Sequence, residues 1–125
     1  MATILIIDDD PEYINAYTIV LQKPGYSIFT AGNSSDGMVI AEKERPDIIV
    51  LDMLITGTGG VQFLKWLRAQ PALKDTKVIV LSNLESDNVV ANAKKLGISE
   101  YLIKANTTFD ELAEKVKQVL QQGSS

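Results

Sequence analysis

The sequence predicts a single α/β domain built around a parallel β-sheet. Five short blocks rich in β-branched and other apolar residues recur along the chain, and segments with helical periodicity separate them. Strands that alternate with helices favour right-handed crossover connections and therefore parallel pairing. The length of 125 residues suits one domain with a hydrophobic core of its own.

The five apolar blocks are the predicted strands. Four of them are nearly continuous in apolar residues, as expected when helices cover both faces of a parallel sheet. The second block also contains Ser27 and Thr30, which favours an edge strand. In chain order the blocks are Ile4–Ile7, Tyr26–Ala31, Ile48–Leu51, Val78–Leu81 and Tyr101–Ile103.

The predicted helices occupy the intervals between the strands and the region after the last one. The first begins at Pro11, a residue favoured at the first helical position, and the second is a weaker helix over 35–44. The third follows a Gly-rich loop, and Gly97 closes the fourth. We therefore predict a domain over residues 1–121 and a flexible tail over residues 122–125.

The composition excludes several kinds of site. The chain contains neither histidine nor cysteine, which rules out a typical zinc site, a disulfide and any catalytic triad based on these residues. A metal bound by this chain would be a hard cation with oxygen ligands, such as Mg²⁺. The formal net charge of −4 provides no basic surface for nucleic acid. No apolar run approaches the roughly 18 residues of a membrane span, and no signal peptide is visible, so we expect a cytoplasmic protein without membrane contact.

Polar side chains follow four of the five predicted strands. The first strand ends at Asp8 and Asp9, the third at Asp52, the fourth at Ser82 and the fifth at Lys104. The carboxyl ends of parallel strands meet at one edge of the sheet, where ligands bind in open α/β folds. In the flavodoxin-like strand order 2-1-3-4-5 the first and third strands are neighbours, so their three carboxylates would share a pocket. Such a pocket needs a counter-charge, which a divalent cation and a lysine ammonium would supply.

Each of these polar strand ends also has an ordinary structural explanation. An acidic residue after a strand is usually a turn or cap residue, and a lysine after an edge strand is usually solvated. Asp10 fits the structural role, because it precedes Pro11 and the first helix and is predicted to cap that helix. The coincidence of the other polar groups at one edge of the sheet favours a functional site.

These features resemble the receiver domains of two-component response regulators. The segments IIDDD, VLD, VLSN and YLIK stand in the family's order and at the corresponding strand ends, and the similarity extends from Thr3 to about Leu120. By this resemblance Asp52 would accept a phosphoryl group from a sensor histidine kinase or a histidine phosphotransfer protein. Because this chain has no histidine, the phosphohistidine would belong to another protein. The chain would catalyse only its own phosphorylation and slow dephosphorylation.

The resemblance also implies a magnesium site. Asp9, Asp52 and the backbone carbonyl of Leu54 would bind Mg²⁺ directly, and Asp8 would act mostly through water. A carboxylate is a competent phosphoryl acceptor, and the cation would spread the charge that develops on the transferred oxygens.

The remaining family positions concern the response to phosphorylation. Ser82 would hydrogen-bond the phosphoryl group, Lys104 would form an ion pair with it, and Tyr101 matches the aromatic switch position. The surface formed by the fourth helix, the fifth strand and the fifth helix would then bind a downstream protein or a second copy of the chain. No direct binding to nucleic acid is expected.

Apolar neighbours of the site predict a long-lived phosphoryl group. In the family that this chain resembles, the variable positions two residues past the acceptor and two past the hydroxyl residue position or exclude the attacking water. Here these positions are Leu54 and Leu84, and neither can hydrogen-bond that water. Asn83 adds bulk beside the entry path, although its amide could instead orient a water. Weighing these three residues, we predict slow loss of phosphate.

The sequence departs from the family pattern in two loops. The usual proline four residues after the acceptor is Thr56, within ITGTGG, and the glycines of that run favour a mobile loop. The usual proline after the lysine, commonly preceded by a cis bond, is Ala105. A cis bond before a non-proline residue costs roughly 2.5–4 kcal/mol, and the sequence leaves the isomer at this bond open.

The same fold also occurs with three alternative functions. A magnesium-dependent phosphohydrolase also uses an aspartate nucleophile, but its D-x-D pattern is met only trivially by Asp8 and Asp10, and no insertion encloses a small substrate. A binding module that acts without phosphorylation is the second alternative. A flavin-binding role is disfavoured, because three carboxylates after the first strand would repel the flavin phosphate.

Overall fold

The computed structural model describes residues 2–122, in which five strands alternate with five α-helices. A short 3-10 helix over Lys104–Asn106 lies between the last strand and the last α-helix. The strands are β1 Thr3–Ile7, β2 Ser27–Ala31, β3 Ile48–Leu51, β4 Lys77–Ser82 and β5 Glu100–Ile103. The helices are α1 Pro11–Gln22, α2 Ser34–Glu44, α3 Gly59–Ala69, α4 Asp87–Lys95 and α5 Phe109–Gln122.

All five strands pair in parallel in the order β2-β1-β3-β4-β5, which confirms the predicted fold class. Strand β2 lies at one edge of the sheet, as its mixed composition predicted. At the centre, Ile7 of β1 pairs with Leu51 of β3, so these two strands end level with each other. Backbone hydrogen bonds between neighbouring strands continue past the ends of β1 and β3. The Asp52 N–H donates to the Ile7 carbonyl of β1 at 3.0 Å, and the Asp8 N–H donates to the Ala31 carbonyl of β2 at 3.1 Å. This register places the two aspartates side by side.

Helices cover both faces of the sheet, because the side chains of each strand alternate between the faces. In β1, Leu5 and Ile7 belong to one buried cluster, which also contains residues of α2, α3 and α4 such as Phe63. Ile4 and Ile6 belong to the opposite cluster, which contains residues of α1 and α5. The continuous apolar character of the strands is therefore explained by burial on both sides.

The ends of the helices agree in part with the prediction. Helix α2 begins at Ser34, one residue earlier than predicted, because Asn33 accepts a hydrogen bond from the Asp36 N–H and caps it. Gly97 follows α4 with a φ of 78°, a left-handed conformation that glycine adopts without strain. Helix α5 includes Gln122, which the prediction assigned to the tail, and the rest of that tail, residues 123–125, lies outside the described residues. Within the described part of the chain, no helix combines the length and the apolar character needed to cross a membrane.

Arg68 joins three elements at the edge of the sheet opposite the aspartates. Its guanidinium donates hydrogen bonds to the carbonyls of Leu96 at 2.7 Å and Gly97 at 3.2 Å, just after α4. It also donates to the carbonyls of Lys74 at 3.0 Å and Thr76 at 2.7 Å, just before β4. One side chain thus ties the end of α3 to the end of α4 and the start of β4.

We expect Arg68→Ala to lower the free energy of unfolding by about 2 kcal/mol, the range measured for hydrogen bonds that involve a charged group. Arg68→Lys is the matched control, because it keeps the charge but cannot reach carbonyls on both segments. Its stability should lie between those of the other two proteins in urea unfolding. An alanine variant as stable as the parent would show that these contacts contribute nothing.

Candidate functional site

Three carboxylates meet at the carboxyl ends of β1 and β3. Each of Asp8, Asp9 and Asp52 offers one oxygen that lies within 4.8 Å of the others. Asp8 and Asp52 are buried, whereas Asp9 is exposed. The acidic pocket expected from the strand order is therefore present, and its oxygen donors suit a hard divalent cation.

Backbone amides hold one oxygen of each buried carboxylate. The Asp10 N–H donates to Asp8 Oδ1 at 2.9 Å, and the Leu54 N–H donates to Asp52 Oδ1 at 2.9 Å. Asp10 also has its own structural function, since its side chain accepts from the Glu12 N–H at 2.9 Å and caps α1 as predicted. The local turns thus orient both carboxylates so that their Oδ2 atoms remain available to other groups.

The Lys104 ammonium lies between the two buried carboxylates. Its Nζ is 2.7 Å from Asp8 Oδ2 and 2.8 Å from Asp52 Oδ2. Burial lowers the pKa of Lys104, but hydrogen bonds to Asp52 and Asp8 outweigh this effect and raise the pKa above its ordinary value. Burial also raises the pKa of Asp8, and the lysine opposes that change only in part. One ammonium therefore contacts two of the three carboxylates in the pocket, and the excess negative charge favours a cation.

Sequence reasoning did not identify Tyr13 as part of the site. Its ring lies over the Lys104 ammonium, with 4.2 Å between Nζ and the ring centroid, a cation–π distance. The ring packs in turn against Tyr17, with 5.6 Å between the centroids, and against Phe109 at 6.4 Å. The available signal was its position in the first turn of the helix that follows the acidic run.

The hydroxyl group of the predicted site, on Ser82, contacts Asp52 directly. Ser82 is fully buried, and its Oγ donates to Asp52 Oδ1 at 2.8 Å and accepts from the Leu84 N–H at 3.2 Å. The Tyr101 hydroxyl donates to the Leu84 carbonyl, which links the predicted switch residue to the same loop. The switch itself remains a prediction.

The three residues expected to tune the phosphoryl lifetime lie in different surroundings. Leu54 is 56% exposed at the rim of the site, and Leu84 is half-buried against the core. The side chain of Asn83 turns toward the loop after β5, where its Oδ1 accepts from the Ala105 N–H at 2.9 Å. The bond between Lys104 and Ala105 is trans, as are all the other peptide bonds in the described residues. The effect of these residues on the lifetime remains a prediction.

The Gly-rich loop after β3 is held against the turn between β2 and α2. Thr56 pairs with Asn33 in an isolated bridge, and the Ser34 N–H donates to the Thr56 carbonyl at 3.1 Å. The buried Ser34 Oγ accepts from the Thr58 N–H at 2.9 Å. Gly57 has a φ of 97°, and a Cβ atom there would lie 2.2 Å from Ser34 Oγ. The mobility expected from the glycines stays a prediction, and this glycine permits a close contact between the loop and Ser34.

Comparisons with known proteins agree with this architecture. The model of the response regulator receiver domain family matches residues 4–117. Protein PilH of Pseudomonas aeruginosa is 31% identical over 104 residues, which cover 83% of this chain and 86% of PilH. The sporulation initiation phosphotransferase F of Bacillus subtilis is 32% identical over 117 residues, which cover 94% of this chain and 92% of that protein.

A solved structure shows the same fold. It is the signal receiver domain of a signal transduction histidine kinase from Syntrophus aciditrophicus, which superposes with a TM-score of 0.88 at 27% identity and covers 99% of this chain and 93% of that one. The chain also matches several longer transcriptional regulators and spans about half of their length. The comparisons give no support to the phosphohydrolase alternative or to a module that acts without phosphorylation. Because the family match extends over nearly the whole described chain, this protein belongs to the response regulator receiver domain family and is a phosphoacceptor module of two-component signal transduction.

Proposed function

We propose that Asp52 is the phosphoacceptor and that it receives the phosphoryl group from the phosphohistidine of a sensor histidine kinase or a histidine phosphotransfer protein. The observation that carries this proposal is the set of donors around Asp52. One of its oxygens accepts from Ser82 Oγ and the Leu54 N–H, and the other accepts from Lys104 Nζ. The groups that would bind phosphoryl oxygens thus already surround a buried carboxylate.

In the transfer, an Asp52 carboxylate oxygen attacks phosphorus as the bond from phosphorus to the donor's imidazole nitrogen breaks. The electron pair of that bond stays on the imidazole, and an acyl phosphate forms. Lys104 balances charge on the phosphoryl oxygens, and Ser82 donates a hydrogen bond to one of them. The chain accelerates this transfer and the later slow hydrolysis, and it acts on no separate substrate.

The donor set of the acidic pocket fits a magnesium ion. Asp9, Asp52 and the backbone carbonyl of Leu54 would hold it, and Mg²⁺ would neutralise charge on the transferred oxygens when bound. Asp8 would act mostly through water, as in the family that this chain resembles, and its two oxygens also accept hydrogen bonds from the Asp10 N–H and Lys104. The exposed Asp9 carboxylate remains accessible to a cation from solvent.

The face formed by α4, β5 and α5 is the proposed surface for a downstream protein or a second copy of the chain. A groove of about 420 Å³ on this face is lined by apolar and charged residues and by Tyr101. Because Tyr101 also contacts the loop that follows Ser82, a change at Asp52 can alter the groove. We expect protein partners in the cytoplasm rather than nucleic acid or membrane.

The test of this function is incubation of the protein with Mg²⁺ and phosphoramidate, followed by mass spectrometry of the intact chain. We expect one phosphoryl adduct that is stable in acid and labile in base. Asp52→Asn should form none, whereas Asp75→Asn, which changes an exposed aspartate far from the pocket, should behave like the parent. An adduct that persists in Asp52→Asn would refute the assignment.

A separate prediction divides the acidic run into two tasks. We expect Asp9→Ala to weaken Mg²⁺ binding by at least about tenfold, because it removes a ligand charge from the cation. Asp10→Ala should instead lower the free energy of unfolding by about 1 kcal/mol, because it removes the cap of α1. Magnesium titrations followed by backbone amide shifts, together with urea unfolding, measure the two effects. Equal losses of affinity in both variants would contradict the division.

A further inference from the structure

One hydrogen bond connects the two loops that carry the phosphoryl-binding side chains. Asn83 directly follows Ser82, and Ala105 directly follows Lys104. The Ala105 N–H donates to Asn83 Oδ1 at 2.9 Å, across 22 residues of sequence. Both residues are exposed, so the bond lies at the rim of the pocket.

The bond satisfies a donor that the local backbone leaves without a partner. Lys104–Asn106 is a single turn of 3-10 helix, and the first amides of any helix lack acceptors within the helix. No side chain of the preceding residue, Ile103, caps this turn. Asn83 caps the turn from the neighbouring loop, and asparagine is among the side chains that cap helices most effectively.

The same bond completes a closed ring of contacts around the acceptor. Ser82 Oγ lies 2.8 Å from Asp52 Oδ1, and Lys104 Nζ lies 2.8 Å from Asp52 Oδ2. The link between Asn83 and Ala105 then joins the residues that follow the serine and the lysine. The distance between the Ser82 hydroxyl and the Lys104 ammonium is thus constrained at two places, by their shared contacts with Asp52 and by the hydrogen bond at the rim.

We propose that Asn83 is a positioning residue, which holds the turn that begins with Lys104 at a fixed distance from Ser82 so that both side chains reach oxygens of one phosphoryl group. The proposal rests on the proposed function of Asp52 as the acceptor. On phosphorylation the contacts of Asp52 Oδ1 and Oδ2 pass to the phosphoryl oxygens, and the rim bond is then the part of the ring that stays unchanged. Asn83 therefore acts through the lysine and the serine, not on the phosphoryl group itself.

A double-mutant cycle tests this link from both ends. Asn83→Ala removes the acceptor, replacement of Ala105 by lactic acid in a semisynthetic protein removes the donor because the ester has no N–H and keeps the side chain and the trans bond, and a third protein combines the two changes. The probe is beryllofluoride with Mg²⁺, a mimic of the phosphoryl group, and its affinity is measured for each protein. Asn106→Ala is the matched control, because it truncates an exposed asparagine in the same 3-10 turn.

We expect each single change to weaken beryllofluoride binding by about 3- to 10-fold, as for loss of one hydrogen bond, and the double change to weaken it no further. The ¹⁹F spectrum of the bound probe supplies a readout that a loss of stability alone would not move. We expect one fluorine resonance to broaden or shift in Asn83→Ala. The same resonance should change in the same way in the protein with the Ala105 ester, and it should not change in Asn106→Ala. Losses that multiply in the double variant, or an Asn83→Ala protein with the parent's affinity and spectrum, would overturn the proposal while leaving Asp52 as the acceptor. A parent chain that binds neither beryllofluoride nor a phosphoryl group would overturn both.

Discussion

Replacing Lys104 by methionine should lower the free energy of unfolding by about 3 kcal/mol at neutral pH and abolish phosphorylation of Asp52. The ammonium is the cation that contacts both buried carboxylates, at 2.7 Å from Asp8 and 2.8 Å from Asp52. Its removal leaves two buried negative charges without a cationic partner, a change that typically costs about 3–5 kcal/mol. Urea unfolding measures the first effect, and the phosphoramidate assay measures the second.

The loss of stability in Lys104→Met should depend on pH in a defined direction. Burial raises the pKa of Asp8, and without the lysine this pKa should rise further. The folded state then binds a proton that the unfolded state has released, so stability falls as the pH rises from the ordinary value of 3.8 through the raised pKa. The variant should thus approach the parent at acidic pH, and Mg²⁺ should restore part of its stability at neutral pH.

The control for this experiment is Lys115→Met. Lys115 forms an exposed ion pair with Glu100 at 3.7 Å, and exposed pairs contribute between about 0 and 1 kcal/mol. Its removal should change stability little and should leave phosphorylation intact. A Lys104→Met protein that unfolds like this control at every pH would show that the buried ammonium is not needed to balance the two carboxylates.

The double change of Leu54→Asn with Leu84→Glu should shorten the lifetime of the phosphoryl group by about tenfold, which corresponds to about 1.4 kcal/mol of activation free energy. Leu54 is exposed at the rim of the site, and Leu84 lies in the loop that follows Ser82. Neither leucine can orient an attacking water, whereas an amide and a carboxylate can. The measurement is loss of phosphate from purified protein with Mg²⁺ after removal of the donor.

Val39→Asn is a suitable control for the lifetime, because this valine of α2 is also apolar and exposed, at 65%. It should decay at the parent's rate. If the double variant decays no faster than this control, the leucines do not shield the phosphoryl group. Asn83 is a weaker candidate for orienting the attacking water, because its amide oxygen already accepts a hydrogen bond from the Ala105 N–H.

The sequence by itself determined the fold and the location of the site. Continuous apolar strands separated by helices must form all their backbone hydrogen bonds and bury both of their faces. A parallel sheet covered by helices on both sides is the principal arrangement that does so. The carboxyl ends of such strands share an edge, so the sequence alone predicts that Asp8, Asp9, Asp52, Ser82 and Lys104 lie together. The cap formed by Asp10 was equally predictable, because it depends on residues adjacent in sequence.

Only the tertiary structure decided which of these groups touch and what holds them. The Tyr13 ring over Lys104, the anchoring of the Gly-rich loop on Ser34 and the bond from Ala105 to Asn83 all connect segments distant in sequence. Periodicity reports which face of an element is buried, but it does not report which partner a side chain meets across a loop. The trans bond between Lys104 and Ala105 was likewise decided by the tertiary structure, because the isomer depends on the packing of two loops around one turn.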